Sequence, residues 1–84
     1  MDNRERFLHL LKANGISQTK SADLIVAVTQ RPCSVRTVRS WLNDPEKASS
    51  RPCPDWAVAA LEKAIIYMER ALARRLEAQS DTPA

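Results

Sequence analysis

Apolar residues recur at helical spacing through four stretches of this 84-residue chain, and nothing alternates at period two for long. That rhythm confines the chain to an all-α fold, and the residues between the stretches mark where each helix stops. Phe7, Leu8 and Leu11 form the buried face of a first helix expected over residues 3–14. Asp2 or Asn3 can cap it, and Asp2-x-x-Glu5 has the spacing of a capping box with Asp in place of the usual Ser or Thr. Asn14-Gly15 ends it, because Gly reaches the left-handed conformation past a helix end without steric cost. Ser17 caps a second helix over residues 18–28, with Ala22, Ile25 and Val26 turned inward. Thr29 to Cys33 breaks it, since Pro32 cannot continue a helical ladder. Ser34 opens a third helix over residues 34–42. There Val35, Val38, Trp41 and Leu42 recur at helical spacing and leave Arg36, Thr37, Arg39 and Ser40 outward. Residues 43–54 are a loop rich in Pro, Ser and charge. Pro54 and Asp55 suit the first turn of a last helix over residues 54–79, some ~39 Å long at 1.5 Å per residue. Residues 80–84 are expected to fray.

A chain of this length makes one domain at most, here residues 1–79, with a modest core that gains from a subunit partner. Its apolar runs, such as Leu24 to Val28, are far short of the ~18 residues of a membrane span. The charged start, Met1-Asp2-Asn3-Arg4-Glu5, leads into an amphipathic stretch rather than an apolar signal core, so the expectation is a soluble, cytoplasmic protein without a membrane partner. Cys33 and Cys53 are too few for a disulfide scaffold and lack paired zinc-site spacing, and His9 is the only histidine. No metal and no cofactor is expected, nor an evident small-molecule ligand. Enzyme chemistry has little to stand on: there is no Gly-rich phosphate loop, no ligand cluster, and no nucleophile with a second His to serve it. Cys53, before Pro54 at a helix start, is the one thiol placed where its reactivity could be raised.

Charge is unevenly spread. Residues 1–42 carry seven Lys and Arg against three acids, and residues 43–84 carry six against seven. A basic front half joined to a balanced back half suits a protein that meets a polyanion with one end. The stretch from Gly15 to Leu42 has what a helix-turn-helix requires. Ala22 is small enough to let a second helix cross close by, Ser34 caps that second helix, and Val38 with Trp41 anchors it while its other face projects. Gly15-Ile16-Ser17-Gln18-x-x-x-Ala22 followed by Ser34-x-x-x-Val38-x-x-Trp41 resembles the Cro/CI-like (XRE) repressor family over roughly residues 7–42. More narrowly, Arg51-Pro52-x-Pro54 leading into Ala60-Leu61-Glu62 resembles the short regulators encoded beside anti-CRISPR genes in phages, which are dimeric repressors of their own operon. One departure stands out. Val26 occupies the position where the wider family has Gly, and the recognition cap comes six residues late. Either the second helix gains a turn or the connection bulges outward.

The resemblance, with motif residues 17–42, implies a sequence-specific transcriptional regulator acting on double-stranded DNA. Residues just after the recognition cap approach base edges in that family, which here means Val35, Arg36 and Thr37, with Ser40 one turn later. Arg36 leads them, because a guanidinium pairs bidentately with guanine O6 and N7. Arg39 can reach a base or a phosphate. Ser17, Gln18, Thr19 and Lys20 open a helix whose amides favour an anion and are expected on phosphates, together with Ser34 and Arg31 of the lengthened turn. Trp41, Trp56 and Tyr67 are expected to be structural.

Leu61, Ile65, Met68, Leu72 and Leu76 make one continuous stripe on the last helix, with Ala57, Ala60, Ala64 and Ala71 beside it. Its first half can pack on the other three helices, but its distal turns overhang so small a core. A second copy is the simplest cover, pairing through residues about 58–76 with Leu61, Ile65, Met68, Leu72 and Leu76 at the interface. The expected architecture is therefore a compact four-helix helix-turn-helix domain with a long C-terminal dimerisation helix. As a homodimer it would bind an inverted-repeat operator as a repressor, possible autorepression included. The alternative is a protein-binding module, such as an antitoxin or inhibitor, that docks the last helix on a different protein.

Overall fold

The structure, a computed structural model, describes residues 2–80, with side chains described as far as Leu76. Four α-helices follow one another: α1 (Asn3–Asn14), α2 (Gln18–Thr29), α3 (Val35–Leu42) and α4 (Asp55–Ser80). Most of the expected fraying tail, residues 81–84, lies outside the described residues.

Local chemistry sets the starts of the first three helices. Asp2 Oδ1 accepts from the Glu5 amide at 2.8 Å, Ser17 Oγ from the Lys20 amide at 3.0 Å, and Ser34 Oγ from the Thr37 amide at 3.2 Å. Each bond satisfies an amide that has no partner inside its own helix, and each is worth about 1 kcal/mol. Gly15 ends α1 with φ 62°, and the Ile16 amide closes back on Leu11 O at 2.9 Å. Arg4 Nε donates to Leu42 O and Asn43 O, each at 3.3 Å, so α1 supplies a cation to the negative end of α3. The start of α4 is tied to the start of α1, because Asn3 Nδ2 donates to Cys53 O at 3.0 Å and to Asp55 Oδ1 at 2.6 Å.

The connection between α2 and α3 takes both routes open to it. The helix runs on to Thr29, and Gln30 closes it in the left-handed conformation with its amide on Val26 O at 2.9 Å. Residues 31–34 then form a short non-helical link to α3.

One core joins all four helices. Phe7 and Leu11 of α1, Ala22 and Ile25 of α2, Val38, Trp41 and Leu42 of α3, and Ala57, Val58, Ala60, Leu61 and Ile65 of α4 pack together. Val26 is 39 % exposed rather than inward; its place on the wheel turns it past the edge of the α2–α4 contact. Phe7 meets Trp41 edge-on with ring centroids 6.0 Å apart, and Trp41 meets Trp56 in the same manner at 5.7 Å. Ser21, a buried polar residue, donates its hydroxyl to Gln18 O at 2.6 Å and so leaves no unmet donor.

Two parts of α4 behave differently. Leu61 is fully buried and Ile65 nearly so within the chain's own core, which for Leu61 contributes about 1.5–3 kcal/mol. Both are taken up by the chain's own core, so of the five residues of the stripe they offer a partner the least surface. Met68 is half-buried against the same core. From Glu69 to Leu76 every residue is exposed, Leu72 at 58 % and Leu76 at 57 %. The stripe is continuous in the chain but is covered only in its first half. Among the described residues, no helix is long and apolar enough to cross a membrane.

Candidate nucleic-acid interface

The outer face of α3 is built by what its inner face does. Val38, Trp41 and Leu42 are buried, which fixes the helix about its axis and leaves Arg36, Thr37 and Arg39 exposed. Val35 and Ser40 are half-buried at the margins. The Ser34 cap is doubled, because Ser34 Oγ and Thr37 Oγ1 also share a hydrogen bond at 3.1 Å. Ser40 Oγ donates to Thr37 O at 2.6 Å. Its proton is thereby spent within the helix, and only its lone pairs can face a base, where they suit an amino group.

The chain folds back beside this face. An open concavity of about 600 Å³ is lined by Arg36, Thr37, Arg39, Ser40, Trp41, Asn43, Ser49 and Arg51. Three arginines line it, and no acidic residue is among its lining residues. Arg51 is held there by its own backbone, since its amide donates to Ser40 O at 2.9 Å. Asn43 Nδ2 donates to Ser49 Oγ at 3.2 Å and draws the loop onto the end of α3. A basic concavity of this kind favours a polyanion, with hydroxyl and amide groups available for directed contacts.

Neither Arg51 nor Ser49 is among the contacts expected from the sequence, although Arg51 opens the Arg51-Pro52-x-Pro54 stretch. The one signal was the repeated Arg-Pro-Cys at residues 31–33 and 51–53, each copy standing just before a helix. Only the fold shows that the second arginine returns to α3.

The remaining expected contacts fall on two other elements. Ser17, Thr19 and Lys20 are exposed at the first turn of α2, and Gln18 is half-buried. Arg31 is exposed, but its guanidinium lies over the Trp56 ring at 4.9 Å from the centroid. Trp56, 37 % exposed, is thus packed against Trp41 on one side and a cation on another.

Cys53 reverses the expectation of a reactive thiol. Burial, with Asp2 and then Asp55 nearby, pushes its pKa up to about 11. Burial raises that of Cys33 as well. Neither is poised as a thiolate at neutral pH. His9 is exposed, and among the described residues no three His, Cys, Asp or Glu side chains are grouped to hold a metal ion.

Comparison with protein-family models, with curated proteins and with solved structures finds no match to this chain.

Proposed function

We propose that this protein is a sequence-specific DNA-binding regulator of the helix-turn-helix kind, in which α3 enters the major groove. The observation that carries the reading is the division of α3. Its apolar residues are spent on the core, so Arg36, Thr37 and Arg39 are presented from a helix that cannot roll. Arg36 would pair with guanine, Val35 would meet a thymine methyl group, and Ser40 would accept from a base amino group. Arg39 and Arg51, with Ser17, Gln18, Thr19, Lys20 and Ser34, would hold phosphates on either side. The resemblance to the Cro/CI-like family supports the same assignment.

The exposed overhang supports function as a dimeric repressor. A second copy covering Leu72 and Leu76 would bring two recognition helices to half-sites about 34 Å apart on an inverted repeat. Repression by occlusion needs nothing further from so small a chain. Autorepression of a phage operon linked to anti-CRISPR genes is the narrower form that the Arg51-Pro52-x-Pro54 resemblance supports. The exposed overhang also favours a second reading, a module whose distal α4 docks on a different protein as an antitoxin does; it predicts only weak, non-specific affinity for DNA.

Selection of bound duplexes from a random pool separates the two. A DNA-reading regulator enriches a symmetric site. Recovery of no preferred sequence at any salt concentration overturns the proposal and leaves the docking module.

A further inference from the structure

A long turn ahead of a reading helix introduces play, and three contacts remove it here. Gln30 closes α2 with its amide on Val26 O at 2.9 Å. Thr29 Oγ1 donates to Ile25 O at 2.7 Å and accepts from the Arg31 amide at 3.1 Å, which turns the chain sharply away from the helix. The third contact reaches furthest, for the Arg31 guanidinium lies over Trp56, a residue in the first turn of α4. From Trp56 a run of edge-on rings leads through Trp41 of α3 to Phe7 of α1. Among the described residues the other cation over a ring, Lys63 on Tyr67 at 5.9 Å, joins two residues of the same helix and ties nothing together. Arg31 stands three residues before the Ser34 cap, a span of at most about 11 Å. Fixing Arg31 therefore limits where α3 can begin.

We infer that Arg31 and Trp56 form a latch that holds the lengthened turn against α4 and thereby sets the angle at which α3 is presented. Arg31 is then a positioning residue rather than a phosphate contact, and Trp56 works with it although it stands on another helix. The structural half of this inference needs only the contacts above; its consequence for DNA rests on the function proposed above. Both partners are substantially exposed, so the contact favours the held turn by about two- to fivefold.

Amide hydrogen exchange on the full chain tests the latch without DNA. Arg31→Ala and Trp56→Leu should each speed exchange at the hydrogen-bonded amides of Gln30 and Arg31 by about two- to fivefold. The double variant should be no faster than either single one, Trp56→Phe should recover part of the protection, and circular dichroism should show unchanged helicity. Additive effects, or no change at those amides, overturn the latch. On a selected duplex, Arg31→Ala and Trp56→Leu should each lose about two- to fivefold in discrimination between base pairs and keep the salt dependence of affinity. If Arg31→Ala instead flattens the salt slope by about one, as Lys20→Ala should, Arg31 is a phosphate contact and the positioning role is wrong. Should the unaltered protein select no duplex, the DNA reading fails by itself, and the exchange experiment still decides the latch.

Discussion

Gln30 is the one described non-glycine residue with a left-handed backbone, at φ 60°. An L-residue there costs about 1–2 kcal/mol, while glycine adopts the conformation freely and gives back part of that gain through a floppier unfolded chain. Gln30→Gly should therefore stabilise the protein by roughly 0.5–1 kcal/mol and raise Tm by a few degrees in thermal denaturation. Cys53 supplies a prediction of opposite sense. Its folded pKa, raised to about 11 from an ordinary value of 9.0, means that the folded protein holds a proton the unfolded chain releases. The stability this confers is present below about pH 9 and is lost as pH rises towards 11. Melting curves across that window should fall less steeply for Cys53→Ala than for the unaltered protein. Equal slopes would show that the thiol is not the group responsible.

At the scale of elements, most of the architecture is legible in the sequence because its signals are local. Asp2, Ser17 and Ser34 cap where a short polar side chain before an apolar period should cap, and Gly15 stops α1 as its backbone freedom implies. The end of α2 is less legible, since its left-handed residue is Gln rather than the Gly or Asn that would announce one. That the first half of the α4 stripe packs inward is legible from the small size of the core, but the residue at which cover ends is not. Leu61 and Leu72 occupy equivalent positions on the helix, and only the reach of α1–α3 decides that one is covered and the other exposed. Arg51 was hidden for the same reason, because its place beside α3 depends on a loop folding back. The division of α3 can be tested directly. Trp41→Ala removes a ring packed between Phe7 and Trp56 and should cost about 3–5 kcal/mol in chemical denaturation. Arg36→Ala and Arg39→Ala, on the exposed face, should stay within about 0.5 kcal/mol of the unaltered protein. A large loss from either arginine would mean that it holds the fold rather than faces a ligand.

The whole molecule joins a compact end, where α1–α3 pack on the first half of α4, to a helical arm that carries uncovered leucines. Self-association should depend on the arm and folding on the compact end. Leu72→Glu with Leu76→Glu should leave helicity unchanged and convert a dimer to a monomer in sedimentation at micromolar concentration, whereas Leu61→Ala should unfold the chain in part. A monomer without any substitution would remove the dimer while leaving the α3 surface as it is. The proposed function stands on that surface, and base preference interrogates it. Duplexes selected by the unaltered protein should be ranked again by Arg36→Ala. The expected result is relaxed preference at one base position in each half-site, with about 1–3 kcal/mol of discrimination lost there and the other positions unaffected. Unchanged affinity and unchanged ranking would contradict α3 as the element that reads the groove.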